Sequence, residues 1–283
     1  MSLGPDDLVL CAGTLGHVGL EERCVVAAEA GFTGVSLFLG DLQRLRDAGR
    51  SDADIRALLR DHGLAVAELD PLMSWVPGAG LGAGASEEGE GFFGFGEADF
   101  YAAAELVGAR SINAVLYSEK PVPTDTVAEA FAGLCDRAKE HGLLVHLEFL
   151  PWTQLRDVHA ALAIVEAAGR ENGGVMFDAW HHFRSGVENA ALEVVAARVT
   201  AIQLDDAPAQ AEEDLVAETL QRRRLPGEGD ADLVEMMRRL GAGGCRAPVG
   251  VEVFSDELKK LPARETAQRA ADTTRAVLAE ARR

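Results

Sequence analysis

This chain is short of positive charge. Its 283 residues carry 27 Lys and Arg against 46 Asp and Glu, a formal net charge of −19. A protein that grips nucleic acid needs a basic surface to displace counterions from phosphates, so the balance argues against DNA or RNA as a partner. It also gives little attraction to an anionic membrane. Long apolar runs are missing: none reaches the ~18 residues that a spanning helix requires. The opening MSLGPDDLVL lacks the basic and apolar regions of a secretory signal, and a cytoplasmic location is expected. Cysteine is sparse, and Cys11, Cys24, Cys135 and Cys245 show no CxxC spacing. They read as isolated reduced thiols, which disfavours a disulfide framework or a cysteine zinc site. No glycine-rich phosphate fingerprint follows the first apolar run, which counts against an open doubly wound sheet.

What is present is 48% hydrophobic residues in a regular alternation. Apolar runs suggest strands at Leu8–Ala12, Gly34–Phe38, Leu64–Leu69, Ser111–Leu116, Leu143–Glu148, Gly174–Asp178, Ala201–Leu204 and Val249–Val253. Amphipathic stretches rich in Ala, Leu, Glu and Arg lie between them, such as Thr126–His141 and Thr153–Ala168, and several stop at Gly as helices do. Eight strands alternating with eight helices predict an α/β fold, a parallel (β/α)8 barrel, and the length suits one such domain. Two segments break the repeat. Residues 78–96 hold eight glycines and end in GFFGFG. Phe92, Phe93 and Phe95 favour a lid there over a disordered linker, which seldom carries three aromatics. Residues 205–230 contain QRRRLPGEGD, a basic cluster in an acidic chain.

Four of the apolar runs finish on a polar residue where a barrel strand should stop: Glu148, Asp178, Gln203 and Glu252. In a parallel barrel the C-terminal strand ends form the active-site mouth, and three acids gathered there would repel one another strongly without a cation. Three carboxylates and an amide make an all-oxygen set suited to a hard divalent cation: Mn, Mg or Co ahead of a softer metal such as Zn. Alternation along the strands puts small or apolar residues under these tips, except His146, which reads as a hydrogen-bonded core histidine. His181, three residues after Asp178, is placed to hold a substrate oxygen, while His182 points elsewhere and His17 reads as a surface residue. In the RRRLPGEGD turn, Arg223 and Arg224 are the candidates for binding a substrate hydroxyl, carboxylate or phosphate. Such an arginine should be removable with little loss of stability.

The runs HLEFLP, FDAWHHFRSG, IQLDDAP, RLPGEGD and VEVFS resemble the sugar phosphate isomerase/epimerase family of xylose isomerase-like TIM barrels. The resemblance covers nearly the whole chain, residues 1–283 as one domain, and is clearest from about 140 to 256. It implies metal ligands at Glu148, Asp178, Gln203 and Glu252. It also implies substrate contacts from His181 and from Arg223 or Arg224. Members often carry His at the third ligand position, where this chain has Gln203. Endonuclease members use a zinc cluster built with many histidines, and seven histidines with a strongly negative charge set this chain apart from them. The activity implied is metal-dependent isomerisation or epimerisation of a sugar, ketose or polyol-derived ketone. A proton would move next to a carbonyl through an enediolate, with Glu148 and Glu252 as the two catalytic carboxylates. A dehydratase of an inosose or dehydroshikimate-like ketone shares the first step, and an inactive sugar-binding barrel is a third reading. The partner expected is a small carbohydrate, and the sequence leaves a homo-oligomer open.

Overall fold

Parallel strands need crossovers long enough to hold a helix, and this chain supplies one after nearly every apolar run. A computed structural model describes residues 3–79 and 94–283. In it, eight parallel strands close into a barrel in sequence order. They are β1 (Leu8–Leu10), β2 (Gly34–Phe38), β3 (Ala65–Leu72), β4 (Ser111–Val115), β5 (Leu144–Glu148), β6 (Gly173–Asp178), β7 (Val199–Leu204) and β8 (Val249–Val251). Closure is made by β1 on β8, with Leu8 opposite Val249 and Leu10 opposite Val251.

All eight expected strands are present, and the differences lie at their ends. Strand β3 runs on to Leu72 and carries a register shift where Val35 and Ser36 face Val66 and Glu68. Strand β8 stops at Val251, so Glu252 sits one residue beyond it. The expected helix from Thr153 starts instead at Val158, because the Asp157 side chain caps it by accepting the Ala160 N–H at 2.9 Å. A cap of this kind contributes ~1 kcal/mol. The crossovers are also richer than one helix each. Two helices separate β2 from β3 (Leu39–Asp47 and Asp52–Asp61), two separate β6 from β7 (Ala179–Ser185 and Ala191–Val195), and two separate β7 from β8 (Leu215–Gln221 and Leu233–Ala242). Of the expected lid, residues 80–93, with Phe92 and Phe93, lie outside the described residues; Phe95 packs partly buried against the core.

The main apolar core fills the space between the sheet and the helices. Val9, Cys11 and Ala67 form a separate buried cluster with Leu3. Gly250 leaves no room for a side chain: a Cβ there would lie 2.7 Å from Cys11 Sγ and 2.9 Å from the Ile202 carbonyl oxygen. No helix among the described residues is long and apolar enough to cross a membrane.

Candidate active site

The four strand-end residues meet at one end of the barrel. Pairing sets Glu148 of β5 against Met176, Asp178 of β6 against Gln203 of β7, and Gln203 against Gly250 of β8, two residues before Glu252. All four are buried, Asp178 and Gln203 completely. Asp178 joins strand to helix, since its Oδ1 accepts the His181 N–H at 2.7 Å and caps the short helix Ala179–Ser185. That cap turns the His181 ring into the mouth. His181 Nε2 lies 3.3 Å from Glu148 Oε1 and 3.8 Å from Asp178 Oδ2, and one ligand atom from each of the three residues falls within 4.8 Å of the others. The rings of Phe149, Trp152 and Trp180 stand edge-on around His181, with centroids 5.3–6.5 Å away.

The two candidate arginines separate. Arg223 is 3% exposed and reaches the centre of the mouth. Its Nη1 donates to Asp178 Oδ2 at 2.7 Å, to Asp205 and to the Glu252 carbonyl oxygen at 3.3 Å, and it stands 4.0 Å from Glu252 Oε2. Its Nη2 donates to Thr219 Oγ1 at 2.8 Å and lies 3.4 Å from His181 Nε2. Burial works against the Arg223 charge, but Asp178, Asp205, Glu252 and Glu148 outweigh it and raise its pKa. Arg224 is exposed and donates to the Glu228 carbonyl oxygen at 3.2 Å, away from this cluster. Arg222 is exposed and pairs with Glu212. The buried network corrects one expectation: removing Arg223 leaves Asp178 and Asp205 without their cation, a change that costs ~3–5 kcal/mol of stability.

Asp206 explains how a loop arginine is held so firmly. Its carboxylate accepts backbone N–H groups from Ala207 (2.8 Å), Gly227 (2.9 Å), Gly229 (2.9 Å) and Ala231 (3.0 Å). Its backbone bridges Arg224 in both directions. Gly229 is required for this, because a Cβ there would fall 2.2 Å from Asp206 Oδ1. The PGEGD turn is thus wrapped around one buried carboxylate, and the wrap fixes the path of Arg223.

The mouth also holds residues that the strand-end pattern did not select. Glu68 and Asp70 of β3, Asn113 of β4 and Asp205 after β7 are all buried. Asn113 Nδ2 donates to Asp70 Oδ1 at 2.9 Å and to Glu148 Oε2 at 2.6 Å, linking β3 to β5. Acids two residues apart within the apolar run AVAELDP were the available signal for this wall. Burial, reinforced by neighbouring carboxylates, pushes the pKa values of Glu68, Asp205 and Glu252 up, and that of Asp70 up to about 7.

The mouth is therefore rich in buried acid, and Arg223 supplies part of the positive charge that the carboxylates demand. Gln203 Oε1 and Glu252 Oε1 are buried acceptors with no hydrogen-bond partner among the described residues. Unsatisfied buried oxygens are costly, and a hard divalent cation is the ligand that suits oxygens beside carboxylates. The residues present fit such an ion. His146 lies deeper, with Nδ1 2.7 Å from Thr200 Oγ1, and burial lowers its pKa well below the usual value. His182 contacts Asn189 and burial lowers its pKa to about 4. His17 is exposed. The four cysteines are free and buried.

Comparison with known proteins follows the same lines. A family model described as a xylose isomerase-like TIM barrel matches residues 24–277. A 3-dehydroshikimate dehydratase of Pseudomonas aeruginosa is 27% identical over 255 residues, 88% of this chain and 38% of that protein. An inosose isomerase of Bacillus velezensis is 32% identical over 158 residues, 54% of this chain and 55% of that protein. The chain thus spans about two fifths to just over half the length of these relatives. Among solved structures, that of the IolI protein with a bound zinc atom superposes with a TM-score of 0.82 at 21% identity, covering 96% of this chain and 98% of that one. A probable 3-dehydroshikimate dehydratase, AsbF of Bacillus anthracis, gives 0.72 at 14% identity, covering 95% and 98%. At these identities the structural likeness establishes the fold.

Proposed function

We propose, from the premise that this chain belongs to the xylose isomerase-like TIM barrel family, that it is a cation-dependent isomerase or epimerase of a sugar, ketose or polyol-derived ketone. The observation that carries this reading is the buried carboxylate set around His181 and Arg223, with unpartnered oxygens on Gln203 and Glu252. Glu148, Asp178, Gln203 and Glu252 would hold the cation, with Mn, Mg or Co ahead of Zn because every donor is oxygen. When bound, a divalent cation supplies Lewis acidity toward a substrate carbonyl and the hydroxyl beside it.

The protein's own groups do the remainder. Glu148 is aimed by the Asn113 amide, which holds Oε2 at 2.6 Å, and takes the proton from the carbon next to the carbonyl. Glu252, whose pKa is raised by burial and by Asp70, acts as the acid that delivers a proton to the neighbouring carbon. Arg223 and His181 orient the substrate oxygens. The Phe149, Trp152 and Trp180 rings exclude water from one side.

A second reading, dehydration of an inosose or dehydroshikimate-like ketone, draws support from the dehydratase relative that aligns over 88% of the chain. It shares the first proton transfer and then expels a β-hydroxyl. A screen of ketoses, inososes and dehydroshikimate in deuterated water, with Mn supplied, separates the readings. Isomerisation exchanges the α-proton and leaves the mass otherwise unchanged, whereas dehydration releases water and extends conjugation, which mass spectrometry and ultraviolet absorption both report. Binding with neither exchange nor product would identify an inactive sugar-binding barrel and sink both readings.

A further inference from the structure

Gln203 differs from its three partners in one respect: an amide has two unlike ends. Turned one way it offers a cation a carbonyl oxygen; turned the other way it offers an NH2 group, which repels it. The side chain is completely buried, so water does not select the end. Glu68 stands on the opposite side of the barrel interior, on β3. Gln203 Nε2 lies 3.4 Å from Glu68 Oε1, and Gln203 Oε1 is left buried with no partner among the described residues. The same Glu68 oxygen faces Cys11 Sγ at 4.0 Å. Cys11 in turn is packed against Gly250, where a Cβ would come within 2.7 Å of its sulfur. The position of Glu68 is thus set by close packing across the barrel as well as by its own strand. One residue past β8, Glu252 Oε1 is another buried oxygen without a partner among the described residues, as is Asn113 Oδ1.

We infer that Glu68 is a positioning residue for the cation site: by accepting Nε2 it fixes the Gln203 amide so that Oε1 is the ligand atom, completing an all-oxygen donor set. Partners behind a metal ligand set its orientation, and losing one typically costs ~10–100-fold in metal affinity. The inference rests on the cation site proposed above and assigns a role to a residue outside it.

The test is calorimetric titration of metal-stripped protein with Mn and no substrate, for wild type, Glu68→Met and Glu68→Gln, with folding followed by circular dichroism. Glu68→Met keeps the volume and removes the acceptor, and should weaken Mn binding about 10–100-fold. Glu68→Gln keeps an acceptor oxygen without the charge, and should recover most of that loss. Glu68→Ala replaces the Met variant if the latter does not fold. Mn binding within twofold of wild type in the acceptor-free variant overturns the inference and leaves the cation site standing. Equal loss in the Gln and Met variants also overturns it, because charge alone then explains the effect. Failure of wild type to bind any divalent cation removes the site, and the inference with it.

Discussion

The mouth of this barrel has two walls built on different plans. On the β5–β8 side, Glu148, Asp178 and Gln203 stand at or near strand ends, and Glu252 stands one residue past its strand. On the β3–β4 side, Glu68, Asp70 and Asn113 lie within strands that continue beyond them. The first wall places buried donors at the C-terminal strand ends. The second is hydrogen-bonded to the first, Asn113 to Glu148 and Gln203 to Glu68. On the function proposed above, depth would divide labour between groups of similar chemistry: carboxylates at the strand ends would act on the ligand, and those a layer back would aim them.

If that division holds, the strand ends should dominate activity. Stripping divalent cations with a chelator should abolish turnover, restored by Mn, Mg or Co; full activity in stripped protein would end the cation reading. Glu252→Gln and Glu148→Gln should fold normally and lose about 10²-fold or more in kcat, the usual scale for an acid–base group. Near-native rates in both variants would reduce the strand-end carboxylates to scaffolding. Arg223→Ala bridges the two roles. It should lower kcat/KM roughly 10- to 150-fold by losing charge-assisted hydrogen bonds of ~1.5–3 kcal/mol. It should also lose ~3–5 kcal/mol of stability by stranding Asp178 and Asp205, which a melting curve reads directly.

The inner wall should show itself in stability rather than rate. Burial, and next the Glu148 charge, raises the Asp70 pKa from 3.8 to about 7, so the folded protein binds more protons than the unfolded chain between those values. Stability of the metal-free protein is then greatest below about pH 4 on this account and falls as pH rises toward 7. Asp70→Asn should flatten that slope in denaturant titrations; an unchanged slope would place the proton elsewhere. The smallest effect is expected at Arg224, where Ala should leave kcat/KM within twofold of wild type. A larger loss would show that the exposed arginine reaches the substrate after all.

Arg223 and Arg224 also mark the limit of what the sequence shows. Adjacent in RRRLPGEGD, they carry the same chemistry, and nothing in the local pattern says which one turns inward. The choice was made by Asp206, whose carboxylate gathers four loop N–H groups, and by the pairing of the Arg223 N–H with the Phe254 carbonyl at 3.0 Å. All but the Ala207 contact join residues 21 or more positions apart in the chain. Glu68 and Asp70 escaped notice for a related reason: an acid inside an apolar run reads as an interruption until the length of β3 and its register shift place it at the mouth.

By itself the sequence determined the eight-strand alternation, the parallel barrel that follows from it, and the polar strand ends at Glu148, Asp178 and Gln203. Each of these depends on periodicity and on short-range punctuation, which are local properties. Tertiary structure alone decided that Arg223 rather than Arg224 enters the mouth, that Asn113 donates to Glu148, and that Gln203 meets Glu68 across the barrel. Those outcomes depend on barrel closure, which brings β3 within hydrogen-bonding reach of β7, and no local pattern encodes a distance across a closed sheet.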